Sequence, residues 1–197
     1  MNRAARLTGP LLAAVLVLAG CTGGSDRAAS GPSSSGVDLA SADTNLRPCP
    51  AQTEATAAGS DLPDLTFDCF SGGSLDLARA PGVPTVVNLW ASWCGPCREE
   101  LPVVQQLADA AGDRVRVLGV VSKDGIGQST SFAADAGATC PSAFDADGRL
   151  MDDLGLRALP YTYFLAADGS VAYVQVGPVH SLAEFEQLVA DHLGVQL

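Results

Sequence analysis

The sequence predicts an α/β sandwich built on a largely parallel sheet. Three observations carry this expectation. Segments of strand character alternate with segments of helical spacing along residues 85–137. The stretch TVVNLWA, residues 85–91, is apolar almost without interruption, as strands covered on both faces are. A helix-patterned run separates it from a second such strand, and a strand–helix–strand crossover within one sheet implies parallel pairing.

The elements follow in order. LPDLTFDCF and SLDLA alternate apolar and polar residues around SGG, which predicts a β-hairpin at the start of the domain. Residues 85–91 form the first core strand. CREELPVVQQLADAAG sets Leu101, Val104, Leu107 and Ala108 at helical spacing, with Gly112 as its stop. Pro102 is expected to kink this helix near its second turn. RVRVLGVVS, residues 114–122, is the second core strand. GQSTSFAADAG predicts a helix, and AFDADGRLMDDLGL a shorter helix or turn. YTYFLAADGSVAYVQVG predicts two strands joined at ADG, which add an antiparallel edge. SLAEFEQLVADHLG opens with Ser181 as N-cap and Glu184 three residues on, the spacing of a capping box. The expected order is ββ, β, α, β, α, ββ, α.

The first 44 residues read differently. Asn2, Arg3 and Arg6 are followed by LLAAVLVLAG, an apolar run of ten residues ending at Gly20, and then by Cys21. Ten residues are too few to span a bilayer, which takes about 20. A basic start followed by a short apolar run predicts a secretory leader over residues 1–20. Leu18-Ala19-Gly20-Cys21 resembles the bacterial lipobox, which implies lipidation of Cys21 as the first residue of the mature chain. Residues 21–44 are rich in Gly, Ser and Ala and lack large aromatics, so they are expected to be a flexible tether. Residues 45–197 are then the folded domain. The expected location is the extracytoplasmic face of the cell membrane, with the lipid as anchor.

The net charge is −11, with 22 acidic and 11 basic residues, and Lys123 is the only lysine. This excludes a basic nucleic-acid footprint. It also disfavours contact with anionic headgroups, which suits a domain held away from the membrane by a tether.

NLWASWCGPCREELP, residues 88–102, carries the chemistry. Cys94 falls at the start of a helix, where free N–H groups and the helix dipole stabilise a thiolate. Such a setting lowers a cysteine from about 8.5 to about 7. Cys97, one turn inward, is better shielded and suited to resolving a mixed disulfide. Gly95 and Pro96 lie between them, and Pro96 sits in the first turn, where its missing N–H is not needed. A structural zinc site needs four ligands, and neither a second CxxC nor a His pair lies nearby. No metal or cofactor is expected.

WASWCGPC, with its flanking Trp93, resembles the active-site segment of the thioredoxin superfamily. The longer stretch resembles its TlpA/ResA-like branch of membrane-tethered thiol–disulfide oxidoreductases. The resemblance covers about residues 60–195. It implies a thioredoxin-like three-layer sandwich with an N-terminal β-hairpin extension and an insertion after the second core strand. It also implies that Pro160, in ALPYT, is a cis-proline beside the cysteines, lining a groove where an extended substrate adds as a strand. Many thioredoxins carry a buried aspartate where this chain has Asn88. In the ResA-like branch a glutamate three residues after the second cysteine, here Glu100, takes a related place. Spacing alone leaves Glu100 either facing the cysteines or lying on the helix surface like Glu99.

The implied partners are cysteine-containing exported proteins, with apocytochrome c before haem attachment as one client, and an integral-membrane electron donor. A monomer is expected. The Gly-Pro dipeptide matches thioredoxin, at about −270 mV, and favours the reducing direction. A DsbE-like oxidase is the alternative within the class. A non-catalytic thioredoxin-fold binding lipoprotein is the alternative outside it. A thiol peroxidase fits less well, because a CxxC stands where a single cysteine would.

Of the other cysteines, Cys49 and Cys69 are expected to form a bridge pinning RPCPAQ to the first strand, two unrelated thiols being the alternative. Cys140 is expected to be a small buried hydrophobe, a third redox thiol being the alternative. His180 and His192 are expected at the surface, and DADGR and AADGS to be turns rather than calcium loops.

Overall fold

The computed structural model describes residue 39, residues 42–59 and residues 61–197. The leader, Cys21 and most of the tether lie outside the described residues. Leu39 and Ala42 rest against the core, so packed structure begins a few residues before position 45.

Of eleven elements, four are helices and seven are strands, which form a two-stranded and a five-stranded sheet. β1 (Thr66–Asp68) and β2 (Ser74–Asp76) pair antiparallel as the expected hairpin. Phe67 and Leu75, buried and facing each other in register, hold it to the body. Gly73 in its turn has φ 74°, and a Cβ there would stand 2.5 Å from the Cys49 carbonyl oxygen, so no larger residue fits.

The main sheet has the order β5-β4-β3-β6-β7. β3 (Thr85–Trp90) is central and every residue of it is buried, which requires cover on both faces. β4 (Arg116–Ser122) runs parallel to it; β6 (Tyr161–Leu165) runs antiparallel on its other side, and β7 (Val171–Val176) pairs with β6. α1 (Gly95–Ala111) leads from β3 to β4 and packs with α4 (Leu182–Leu193). It continues through Pro102 as one helix, seated by buried Leu101, Val104 and Leu107, and ends at Gly112 with φ 54°. α4 starts as its sequence predicts: the Ser181 hydroxyl accepts the Glu184 N–H at 3.3 Å. The Glu184 carboxylate, however, accepts from the N–H of His180 at 3.1 Å, one residue ahead of the usual box partner.

After β4 comes α2 (Ile126–Asp135), then β5 (Ser142–Asp145) and α3 (Arg149–Asp153). The sequence predicts no strand at β5, and this is a correction. SAFD is too short to show a period, and its strand character comes from distant partners. β4 pairs with it in parallel, Cys69 bridges Ala143, and Phe70 meets Phe144 edge-on at 5.2 Å. α2 and β5 follow the second core strand, where the insertion is expected, and β5 supplies one sheet edge. DADGR is a turn as expected: the buried Asp145 carboxylate caps α3 by accepting the Arg149 and Leu150 N–H groups.

Candidate active site

Cys94 is the N-cap of α1, at the end of the central strand, where chain direction forces the helix to begin. Its Sγ accepts the Cys97 N–H at 3.2 Å, one of the donors that a helix start leaves free. Cys94 and Cys97 are joined as a disulfide. Cys97 has no exposed surface and Cys94 retains 4%, so an approaching thiol meets Cys94. Gly95 and Pro96 are exposed between them.

The Leu159–Pro160 peptide is cis, and β6 begins immediately after it. The Pro160 carbonyl accepts the Gly177 N–H at 3.1 Å, and Tyr161 pairs with Val176. The end of β7 therefore lies beside the proline. Val176 is 64% exposed and Trp93 56%, and these are the exposed large hydrophobics among the described residues. Both lie on segments joined directly to the cysteine and proline loops.

On the central strand and the active-site helix, Asn88 and Glu100 are each 1% exposed. Asn88 Nδ2 donates to Glu100 Oε2 at 2.8 Å and to Thr162 Oγ1 at 2.9 Å. Glu100 Oε1 accepts the Val179 N–H at 2.9 Å. Burial raises the Glu100 carboxyl above its ordinary range, against the lowering effect of the Val179 and Asn88 hydrogen bonds. The structure buries Glu100 against Asn88 and Val179 instead of leaving it on the helix surface, while Glu99 is exposed. Helical spacing could not choose between burial and the surface. The choice follows from Asn88 and Val179, 12 and 79 positions away. Asn88 Oδ1, opposite the amide nitrogen, is buried without a partner.

Cys49 and Cys69 are bridged, with Cα atoms 6.0 Å apart. Cys140 is free and buried, and burial pushes its thiol up to about 11. A thiol so protonated and shielded is a poor nucleophile. His180 is exposed as expected. His192 is instead half-buried, stacked on Tyr173 at 3.9 Å, because α4 lays it over the sheet edge. Among the described residues, no group of three or more His, Cys, Asp or Glu side chains gathers as metal ligands would.

Sequence reasoning missed Lys123 and Asp124. The Asp124 carboxylate accepts the Ser92 N–H and hydroxyl, and the Lys123 carbonyl accepts the Trp93 indole N–H. Asp-Gly after β4 marks a turn but gives no hint of which distant groups it meets.

The redoxin family model matches residues 57–190, taking in both cysteines, Pro160, Asn88 and Glu100. The chain belongs to the redoxin family. Over 113 residues this redoxin is 34% identical to the thiol:disulfide interchange protein CycY of Rhizobium leguminosarum, covering 57% of this chain and 60% of CycY. Over 150 residues it is 25% identical to the thiol-disulfide oxidoreductase ResA of Bacillus subtilis, covering 74% of this chain and 79% of ResA. It also resembles the crystal structure of a secreted Mycobacterium tuberculosis disulfide oxidoreductase homologous to Escherichia coli DsbE. That match has a TM-score of 0.54 and 27% identity over 63% of this chain and 91% of the other. This redoxin is a thioredoxin-fold thiol–disulfide oxidoreductase of the TlpA/ResA-like kind.

Proposed function

We propose that this redoxin is an extracytoplasmic, lipid-anchored enzyme that reduces disulfides of exported proteins through Cys94 and Cys97. The observation that carries the reading is the N-cap geometry, in which Cys94 Sγ receives a helix N–H and retains the only access of the pair. In the reduced protein the Cys94 thiolate attacks one sulfur of a client disulfide. A Cys94–client bond forms and the client's second sulfur leaves as a thiolate. The Cys97 thiol then loses its proton and attacks Cys94 Sγ, releasing the second client thiolate and restoring the Cys94–Cys97 bond. Two electrons pass from enzyme to client, and a membrane-embedded donor must return them.

The reducing direction rests on the thioredoxin-like Gly95-Pro96 pair. A strong oxidant needs its reduced form stabilised well beyond the ordinary, and the nearest cation on α1, Arg98, is engaged elsewhere. Its guanidinium lies 4.4 Å over the Phe132 ring and donates to the Ser92 carbonyl. Pro160, with Trp93 and Val176 beside it, is assigned to the client groove, and Glu100 with Asn88 to proton handling around Cys97. The disulfide Cys49–Cys69 is structural. Cys21 is the lipidated residue, residues 1–20 the leader and residues 21–44 the tether. Clients are cysteine-containing exported proteins, apocytochrome c among them. Turnover of insulin disulfides by the pre-reduced protein, compared with its ability to oxidise reduced ribonuclease, tests the assignment and its direction.

A further inference from the structure

We propose that Lys123 and Asp124 are positioning residues that hold the Trp93 indole as a fixed apolar ledge for the client chain next to Cys94. The β4–α2 connection reaches the segment just ahead of the nucleophile. Asp124 Oδ2 accepts the Ser92 backbone N–H at 2.6 Å, and Oδ1 accepts the Ser92 hydroxyl at 3.0 Å and the Gly125 N–H at 2.8 Å. Hydrogen bonds to an ionised carboxylate are the stronger kind. The neighbouring Lys123 carbonyl accepts Trp93 Nε1–H at 2.8 Å.

To aim that carbonyl, Lys123 takes φ 53°, and among the described residues it is the only non-glycine with positive φ. A side chain there is unfavourable, and such conformations persist only where surroundings over-determine them. Here they do. The Lys123 N–H donates to the Asp145 carbonyl at 3.0 Å and Nζ meets Asp152 at 2.6 Å. The aliphatic stem crosses Gly148, where even a Cβ would collide with it at 2.2 Å. The one lysine in the chain is thus locked at both ends, with its carbonyl on an indole that is otherwise 56% exposed.

An exposed indole free to rotate loses entropy when a ligand orders it; one already held does not. The fitting partner is an extended polypeptide with a large apolar side chain beside its cysteine. This rests on the disulfide-exchange reading of Cys94.

Two disulfide-linked peptides, with leucine or glycine next to the cysteine, and the small aromatic disulfide 5,5′-dithiobis(2-nitrobenzoate) serve as substrates, with dithiothreitol returning the Cys94–Cys97 disulfide to the dithiol after each turnover and its uncatalysed rate subtracted. Lys123→Ala and Asp124→Ala are expected to raise KM for the leucine peptide about fivefold, as the loss of one ordering hydrogen bond would. Its kcat and the rate with the small disulfide should change less than about twofold, and the 15N heteronuclear NOE of the Trp93 indole N–H should fall. Asp124→Asn, which keeps an acceptor for Ser92, is expected to restore most of both. Should either alanine variant fail to fold, Trp93→Phe, which keeps a ring and removes the N–H, is expected to raise the same KM. An unchanged KM or an unchanged indole NOE would overturn the proposal, as would an equal loss on the small disulfide. Wild type that turns over none of these substrates overturns the exchange reading and this proposal with it; active wild type matched by its variants overturns the proposal alone.

Discussion

Asn88 donates its amide N–H to the Glu100 carboxylate at 2.8 Å, tying the central strand to the active-site helix one turn beyond Cys97. The other carboxylate oxygen takes the Val179 N–H, so one buried side chain links β3, α1 and the loop before α4. That loop also touches Pro160 through Gly177. A charge in this position has consequences for both stability and rate.

Burial raises the Glu100 carboxyl above its ordinary 4.5. The folded state therefore holds the proton more tightly than the unfolded chain. The contribution of that bound proton is full below the ordinary value and is lost as pH rises through the raised one. Glu100→Gln stays neutral, and the unpartnered Asn88 Oδ1 can turn to meet its amide. The variant's stability relative to wild type should rise as pH increases above the ordinary 4.5, read as the difference in urea midpoints. Single-turnover reduction of a client between pH 5 and 9 should show slower mixed-disulfide resolution, by less than the ~10²-fold typical of general acid–base groups. Superimposable rate profiles would make Glu100 a purely structural tie.

Cys94→Ser should abolish exchange, whereas Cys97→Ser should accumulate clients as mixed disulfides, because only the latter keeps the accessible sulfur. Non-reducing gels after incubation with a disulfide client read the outcome. Trapping by Cys94→Ser instead would reverse the two roles.

Removing the Cys49–Cys69 bridge as a double alanine variant should cost about 3 kcal/mol in denaturant unfolding, the loop-entropy value for a closed segment of this size. Activity under conditions where the variant is folded should be retained. Cys140, buried and pushed up to about 11, should resist alkylation near pH 8 until the protein unfolds. A loss much below 1 kcal/mol would show that the bridge constrains little.

The anchor is tested through Cys21. Wild type expressed in a bacterium that processes lipoproteins should partition into detergent, and Cys21→Ser should not. Among the described residues no helix is long and apolar enough to cross a membrane. Fully soluble wild type after leader removal would end the lipoprotein assignment.

Much of this was legible in the sequence, for local reasons. β3 and α1 are long and strongly patterned, and the N-cap position of Cys94 follows from where strand pattern changes to helix pattern. The cis-proline at Pro160 and the interest of Glu100 came from family resemblance rather than periodicity. What stayed hidden depends on distant partners. β5 is four residues whose strand identity is conferred by β4 and by Cys69. The burial of Glu100 is decided by Asn88 and Val179. Lys123, a lysine in left-handed backbone, contradicts local preference altogether, and such conflicts concentrate near functional sites.

The reduction potential of the Cys94–Cys97 couple, measured by equilibration with glutathione or dithiothreitol buffers and quantified by alkylation, bears most directly on what the protein does. The Gly95-Pro96 pair between the cysteines predicts a value near the ~−270 mV of thioredoxin. A value near the ~−120 mV of a strong oxidant would contradict the reducing role and assign the protein to disulfide formation.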